Sequence, residues 1–429
     1  MTTSANPRAA SGTSPARPPL LTRALLLRFV SMLGSSVSFF LLLSAVPAHA
    51  GRGGAGLATG ALMLSTVLGE LAGPWIIARY GNRLPLMAGL FLLGAPALAL
   101  PAADGPAWTA AVCLVRGLGF ALTLVAGGAL TATLIPAERR GEGLALVGLV
   151  AGVPSLVSLP LGVWLAGNVG YGPVTTVAAV VALAAIPSVP GLREGAPDGR
   201  ADAAGPREAL GMVGAMRRAE LRRPAVVFAA TALAAGILVT FLPLAVPRAS
   251  AGVATAALLV QSAASTGARW VAGRYGDRHG SGRLVVPGLV LSAAGLPVVA
   301  ATSRPVAVIV GALIFGTGFG VAQNATLAVM YGRVPRASYG TVSALWNLAY
   351  DAGMGVGAAG FGLLAGHTGY GWAFVLTAVA MAAALGPAVR DRRAGHAPPH
   401  GGSDTPLPHG GADTPLTDGG SDTRLPHGG

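Results

Sequence analysis

Long apolar segments separated by short polar ones are the dominant pattern of this chain. Runs of about 20 mostly apolar residues recur between about residue 24 and about residue 390. Each run is long enough to cross the ~30 Å hydrocarbon core of a bilayer as a helix. We place twelve helices at about 24–47, 55–77, 84–103, 107–134, 144–166, 171–190, 224–246, 253–272, 284–302, 305–331, 340–365 and 371–389. The pattern predicts an all-α integral membrane protein.

The chain also repeats itself over half its length. Residues 79–83, RYGNR, return at 274–278 as RYGDR, a shift of 195 residues. At a shift of 199, Gly117, Gly119 and Phe120 match Gly316, Gly318 and Phe319. A repeat of this length is a duplicated half-protein, because solenoid units are only about 20–50 residues long. In membrane proteins with two related halves, a substrate path is expected where the halves meet.

The duplication predicts two pseudo-symmetric bundles of six transmembrane helices. We expect the bundles at 20–190 and 224–390, joined by a linker at 191–223. The ends at 1–19 and 391–429 are rich in Gly, Pro, Ser or Ala, which favours disorder.

The linker and the tail each leave two interpretations open. Ala209, Leu210, Val213 and Met216 could form the apolar face of a helix that lies on the membrane. The linker is then either a coupling element or a solvated connector. The tail repeats a nine-residue His- and Asp-containing unit, but its Gly and Pro content fixes no ligand geometry. We expect no metal site.

Composition and charge support a membrane protein. Charged residues are 10% of the chain, against about 25% in soluble domains. The net charge of +13 comes from arginine alone, and these arginines lie in short loops, which argues against nucleic-acid binding. One set of loops holds only Arg52, Arg248 and Arg304, and the other set holds most of the rest. The positive-inside rule then predicts a multi-pass plasma-membrane protein with both termini in the cytoplasm.

One motif gives the chain a family resemblance. The segment Gly273-x-x-x-Asp277-Arg278-x-Gly280 resembles the loop between the second and third helices, often repeated between the eighth and ninth, of the major facilitator superfamily. The resemblance implies an alternating-access fold in which this loop latches one state. The residues that we assign to the motif are Gly273, Arg274, Asp277, Arg278 and Gly280, with Arg79, Gly81 and Arg83 in the first copy. The first copy has no carboxylate, because Ala78 or Asn82 stands in its place.

Two further segments resemble the same family. Arg116 in helix 4 lies in an Arg-x-x-x-Gly-like signature that resembles proton-coupled members. Helix 5 resembles the Gly- and Pro-rich motif of drug exporters at Gly148, Gly152, Pro154, Pro160 and Gly162. For Gly148 and Gly152 the alternative is close helix packing through small residues.

Glu70 and Asp351 are the acidic residues that fall well inside predicted helices, and Arg116 is the clearest buried cation. Both carboxyls are expected near mid-depth, where buried charges usually pair or face a water-filled cavity. A carboxyl that alternates between dry and solvated surroundings can take up and release a proton. The alternative role is to hold helices together.

Neighbouring polar and aromatic residues complete the candidate path. Asn347, Gln323, Asn324 and Gln261 are expected to line a cavity or to bond between helices, and Trp346 and Phe319 to pack or to line it. Arg269 is assigned to the loop motif, and Arg28 is expected to extend toward the membrane surface.

These features predict a secondary transporter. We expect proton-coupled export of a small organic molecule, with sugar-efflux and drug-efflux members as the nearest resemblance. An uptake porter or uniporter of the same fold is the alternative. A membrane enzyme or receptor is disfavoured, because the chain has no GxxxxGK[ST] loop and no lysine. We expect no cofactor: the proton gradient supplies energy, and the partners are lipid, substrate and protons, with a monomer as the working unit.

Overall fold

The computed structural model describes residues 21–135, 139–192 and 211–394, and every regular element in these ranges is a helix. The predicted disordered end at 1–19, most of the linker including Ala209 and Leu210, and the tail from residue 395 lie outside the described residues. The predicted tail was to begin at 391, but a helix at Leu385–Ala394 includes its first residues.

The first half contains six membrane-crossing helices. Its first helical stretch, Arg23–Tyr80, is broken at Gly51, whose φ of 68° lies in the left-handed region that favours glycine. We call its arms α1 (residues 23–50) and α2 (residues 52–80). The helices that follow are α3 (Arg83–Gly94, continued as a 3-10 helix at Ala95–Ala102), α4 (Pro106–Leu134), α5 (Arg140–Asn168) and α6 (Tyr171–Ala184, with a 3-10 turn at Ile186–Ser188).

The second half repeats this plan. A short linker helix, Met212–Arg217, precedes α7 (Ala219–Ala245), α8 (Ala251–His279), α9 (Gly282–Val299) and α10 (Pro305–Tyr331). The stretch Tyr339–Ala382 is broken at Gly369, where φ is 76°, into α11 (residues 339–368) and α12 (residues 370–382). Val213 and Met216 of the linker helix are exposed, and Ala215 is buried.

The described helices confirm the prediction of twelve membrane-spanning helices in two six-helix bundles. In the described ranges, nine helical stretches are long and apolar enough to cross a membrane, and two of these are the stretches that break at Gly51 and Gly369. The twelfth is α8, which has the length but a lower mean hydropathy because polar residues recur along one face. The second six-helix bundle therefore contains one helix, α8, that is more polar than its neighbours.

The predicted loop motif at 273–280 is wrong in one respect, because most of it is helical. In the first copy, α2 ends at Tyr80, and Gly81 takes a φ of 71°. In the second copy, Gly276 stays in the helix, and α8 runs one further turn to His279 before Gly280 takes a φ of 88°. Asp277 and Arg278 therefore lie on the last turn of α8, where the copies differ in length as well as in sequence.

Candidate functional site

Contacts between the two halves close one side of the bundle. We call the side that carries residues 21–23 and 394 the terminal side, and the other the opposite side. Toward the opposite side, the Thr240 hydroxyl on α7 donates to the Thr59 hydroxyl on α2 at 3.1 Å. A Cβ placed on Gly60 would lie 3.2 Å from the Ala359 Cβ on α11, so α2 and α11 are in close contact.

A further cross-half contact on the opposite side is made by the arginine that begins α2. The Arg52 guanidinium lies 5.4 Å from the ring centroid of Tyr370, which begins α12. A cation over an aromatic ring is attracted by the ring's negative face. The two halves are therefore joined at the end of the molecule as well as along α2 and α11.

A central cavity of about 390 Å³ lies between the halves, on the terminal side of these contacts. This volume falls within the range of about 300–1,000 Å³ that is usual for small-molecule sites. Helices of both halves contribute to its wall. The aromatic part of the wall consists of Phe39, Phe40, Phe120, Phe319, Trp346 and Tyr350.

The aromatic residues both pack and line the cavity. Phe39 stacks on Phe120 with ring centroids 3.6 Å apart, and Phe228 stacks on Trp346 at 4.2 Å. The Trp346 indole N–H donates to the Thr326 hydroxyl at 3.1 Å, which fixes the orientation of that ring. The sequence left packing and lining as alternatives for Trp346 and Phe319, and here the two roles coincide.

Glu70 and Asp351 lie together at the interface between the halves. Their carboxyl groups, on α2 and α11, lie within electrostatic range of each other. Asp351 lines the cavity and is 2% exposed. Glu70 Oε2 is buried and has no hydrogen-bond partner among the described residues. The sequence identified both residues but gave no indication that they meet.

A polar stripe on α8 forms the wall across the cavity. It consists of Gln261, Ser262, Ser265, Thr266 and Arg269. These residues recur at helical spacing, so they occupy one face of α8. Gln261 is 5% exposed, and its Oε1 has no hydrogen-bond partner among the described residues.

Arg269 lies in this cavity and not with the loop motif to which the sequence assigned it. The residue is exposed and forms no ion pair with the described residues. Tyr350 lies within electrostatic range of both Arg269 and Asp351. The spacing of Arg269 from Gln261 and Ser265 is the sequence signal that would have placed it on the cavity face.

Of the other predicted polar residues, Gln323 and Asn347 line the cavity. Asn324 instead lies beside Gly273, where an added Cβ would be 3.4 Å from its Nδ2. Asp277 forms no ion pair within the described part of the chain. Arg274 places its guanidinium over the Trp270 ring of its own helix, 4.3 Å from the centroid. The second motif copy therefore makes no ionic latch in this conformation.

The buried arginines of the first half bond to backbone. Arg116 is fully buried, and it donates to the carbonyls of Leu93 at 3.1 Å and Ser38 at 3.2 Å. It does not line the central cavity. Arg28 was expected to extend toward the membrane surface, but it is 5% exposed and donates to the Gly127 carbonyl at 3.0 Å. Both arginines tie α4 to neighbouring helices.

The predicted glycine motif of α5 separates into two groups. Gly148 and Gly152 line the cavity and have no atom within 4 Å of an added Cβ, so close packing does not explain them in this conformation. An added Cβ at Gly162, in contrast, would meet the Leu41 carbonyl of α1. Pro154 and Pro160 lie between them inside the helix.

The internal repeat relates the helices on the two sides of the cavity, α5 to α11 and α2 to α8. A shift of 199 pairs Gly152 with Asp351 and Gly148 with Asn347, and a shift of 195 pairs Glu70 with Ser265. The pair α5 and α8 is therefore the counterpart of the pair α11 and α2. At these aligned positions only the second pair carries carboxyl groups.

Comparisons with known proteins agree with this architecture. The family model described as Major Facilitator Superfamily matches residues 24–358 and 249–415. No curated protein matches the chain. One similar solved structure is a mutant of the nucleoside transporter NupG, with 13% identity and a TM-score of 0.61, covering 87% of this chain and 98% of that one.

A bacterial homolog of the human lysosomal transporter Spinster, in inward-facing conformations, is also similar. Its unoccupied form has 14% identity and a TM-score of 0.68, covering 86% of this chain and 96% of that one. Its occupied form has 13% identity and a TM-score of 0.72, covering 88% and 98%. At these identities the structures show the fold, and the family model covers most of the residues. The chain belongs to the Major Facilitator Superfamily.

Proposed function

We propose that this membrane transporter exports a small organic molecule by alternating access, in exchange for protons. The observation that carries the proposal is the contact between Glu70 and Asp351, on different halves and beside the central cavity. A proton gradient is then the energy source, and no cofactor takes part.

Chemistry explains why this pair suits proton exchange. Two ionised carboxylates have only acceptor atoms, so they hydrogen-bond to each other only when one of them holds a proton. Two adjacent negative charges in a dry site also repel strongly, which favours a shared proton. A substrate group that neutralises Asp351 removes the need for that proton. Substrate and proton therefore compete, as an exchanger requires.

The contacts on the opposite side supply the conformational half of the mechanism. With α2 and α11 joined there, the cavity lies toward the terminal side. We place the terminal side in the cytoplasm of a plasma-membrane protein, because most arginines of the loops lie on that side. Rocking of the two halves then opens the opposite side and exposes the pair to external protons. All the parts of this cycle lie within a monomer.

The direction of transport rests on α5. Its Gly148, Gly152 and Pro154 resemble the motif of drug exporters, and both glycines face the cavity. The alternative is an uptake porter or uniporter; one protein of similar fold is a nucleoside transporter.

A transport panel in inside-out vesicles tests the proposal. A pH difference of one unit stores about 1.4 kcal/mol per proton. At one proton per substrate, an acid interior should therefore accumulate the substrate about tenfold. Asp351→Asn should reduce this to simple equilibration. Asp104→Asn, the same chemical change at an exposed loop residue, should retain it.

The outcomes separate the candidates. Accumulation driven by an acid interior supports export by exchange. Accumulation that requires an acid exterior indicates uptake with the proton. Equilibration that ignores both gradients indicates a uniporter, and full accumulation by Asp351→Asn removes the pair from the coupling role.

A further inference from the structure

The cavity presents two opposite charges that the family assignment does not explain. One is the Arg269 guanidinium on α8, and the other is the carboxyl pair at Asp351 on α11. They are not an ion pair, because no contact within 4.0 Å joins them in the described structure. An arginine without a carboxylate partner inside a membrane protein is costly, and it usually faces a water-filled path.

The polar surroundings of Arg269 suit a ligand. Arg269 continues the stripe that contains Gln261, whose buried Oε1 has no partner among the described residues. A guanidinium offers N–H donors in a fixed fork that matches a carboxylate or a phosphate. A buried polar atom without a partner is expensive, so a ligand that donates to Gln261 would repay part of that cost.

Aromatic residues line the same cavity as the two charges. Tyr350 lies within electrostatic range of both, and Phe39 stacks on Phe120 in the same wall. A flat apolar body can lie on such rings, while charged groups at its edge reach Arg269 and Asp351. The cavity of about 390 Å³ has room for a body of this kind.

From this arrangement we propose that the transported molecule is amphoteric: one anionic group binds Arg269, one cationic group binds Asp351, and an aromatic or apolar body lies between them. The inference rests on the proposed transport function and names its substrate class. The cationic group is what displaces the proton from the carboxyl pair. The anionic group gives affinity without taking part in the exchange.

The internal repeat shows that neither charged subsite has a counterpart in the first half. The position equivalent to Arg269 in α2 is Pro74, and the position equivalent to Asp351 in α5 is Gly152. Both charges therefore belong to the second half and have no counterpart in the first. A substrate with a single charge would leave one of the two without a partner.

Binding of four matched probes to the purified full chain tests the inference. The probes share one aromatic body: 3-(2-naphthyl)alanine, its N-acetyl derivative, its amide, and its N-acetyl amide. They are respectively amphoteric, anionic, cationic and neutral. A charge-assisted hydrogen bond in a protein site is strong enough to predict that the amphoteric probe binds about tenfold or more tightly than the neutral one.

Two variants should each weaken the binding of a different pair of probes. Arg269→Gln should weaken the amphoteric and anionic probes about tenfold and leave the cationic and neutral ones within about twofold. Asp351→Asn should weaken the amphoteric and cationic probes and spare the other two. Arg304→Gln, at an exposed arginine beyond the cavity, should change none of them.

The inference is overturned if the neutral probe binds as tightly as the amphoteric one, if Arg269→Gln weakens all four alike, or if the amphoteric probe does not bind at about 10 mM. Because binding requires no gradient, this result is independent of transport. The expected pattern without proton-driven accumulation would leave the substrate class standing and refute the exchange. Proton-driven accumulation of a substrate without that binding pattern would leave the exchange standing and refute the substrate class.

Discussion

The helix pair α2 and α11 and the helix pair α5 and α8 stand in equivalent places of the internal repeat, yet they differ in packing and in the polar groups that they carry. The first pair joins the halves closely, at Gly60 and Ala359, and carries Glu70 against Asp351. The second has glycines open to the cavity and faces them with a polar stripe. The difference teaches that two interfaces related by duplication have diverged, one to close helix packing around two carboxyl groups and the other to an open, polar-lined wall.

Moving the carboxyl from one interface to the other should reduce proton-driven accumulation more than any other change. In the double variant Asp351→Gly and Gly152→Asp, the new carboxyl lies opposite Ser265 rather than Glu70, so no carboxyl pair exists to share a proton. Accumulation driven by a one-unit pH difference should fall from about tenfold to equilibration. The control is Gly152→Asp alone, which keeps the native pair and shows how far a side chain in the cavity lowers accumulation by itself. Restored accumulation in the double variant would show that the position of the pair does not matter.

Removing the shared proton while keeping the hydrogen bond should have the next largest effect. In Glu70→Gln the amide can still donate to Asp351 but cannot release a proton. We expect proton-driven accumulation to be lost and the dissociation constant of the substrate to change by only about twofold, less than 0.5 kcal/mol. Parallel measurements of binding and accumulation check this. Accumulation at the wild-type level would restrict the proton to Asp351.

The glycines of the two interfaces should respond differently to one substitution. Gly56→Val places side-chain atoms against the Ala358 carbonyl and Phe241, and such overpacking typically costs about 1–3 kcal/mol. Gly152→Val meets open space, so its stability should be preserved while substrate affinity falls because the cavity is filled. Thermal unfolding and binding, measured on both variants, separate the effects. Equal losses of stability would contradict the assignment of close packing to α2 and α11 alone.

The smallest effect is expected at the end of the closed interface. Tyr370→Leu removes the ring under Arg52, an exposed cation–π contact worth about 0.5–1 kcal/mol. The open fraction of the opposite side should therefore rise about twofold to fivefold. Labelling of Thr240→Cys, in a background that carries Cys113→Ala, reports that opening. Unchanged labelling would show that the helices alone keep this side closed.

The sequence predicted the helices well because membrane thickness fixes their length. The predicted helix 305–331 coincides with α10, Pro305–Tyr331. The sequence-based prediction of the end of α8 was wrong, because the same glycine motif ends α2 at Tyr80 but lets α8 continue past Gly276. Whether such a glycine ends a helix depends on what packs against it, which a local pattern does not record.

The candidate site was only partly readable from the chain. Glu70 and Asp351 were visible as isolated carboxyls in apolar helices, but their contact depends on how two distant helices cross. Arg269 looked like part of the motif beside it, although its spacing from Ser265 already placed it on a polar face. From the sequence, Arg116 was as good a candidate for the transport path as the two carboxyls. The structure shows instead that it donates hydrogen bonds to two backbone carbonyls of neighbouring helices.

Proton release on substrate binding tests the central claim most directly. When the amphoteric probe is added to purified protein in weakly buffered solution, a pH-indicator dye should report proton release from the wild type and from Asp104→Asn. Asp351→Asn, at the higher concentration of probe that saturates it, should bind without releasing a proton. No release from the wild type at saturating probe, or equal release from Asp351→Asn, would contradict the exchange of substrate for proton at the Glu70 and Asp351 pair.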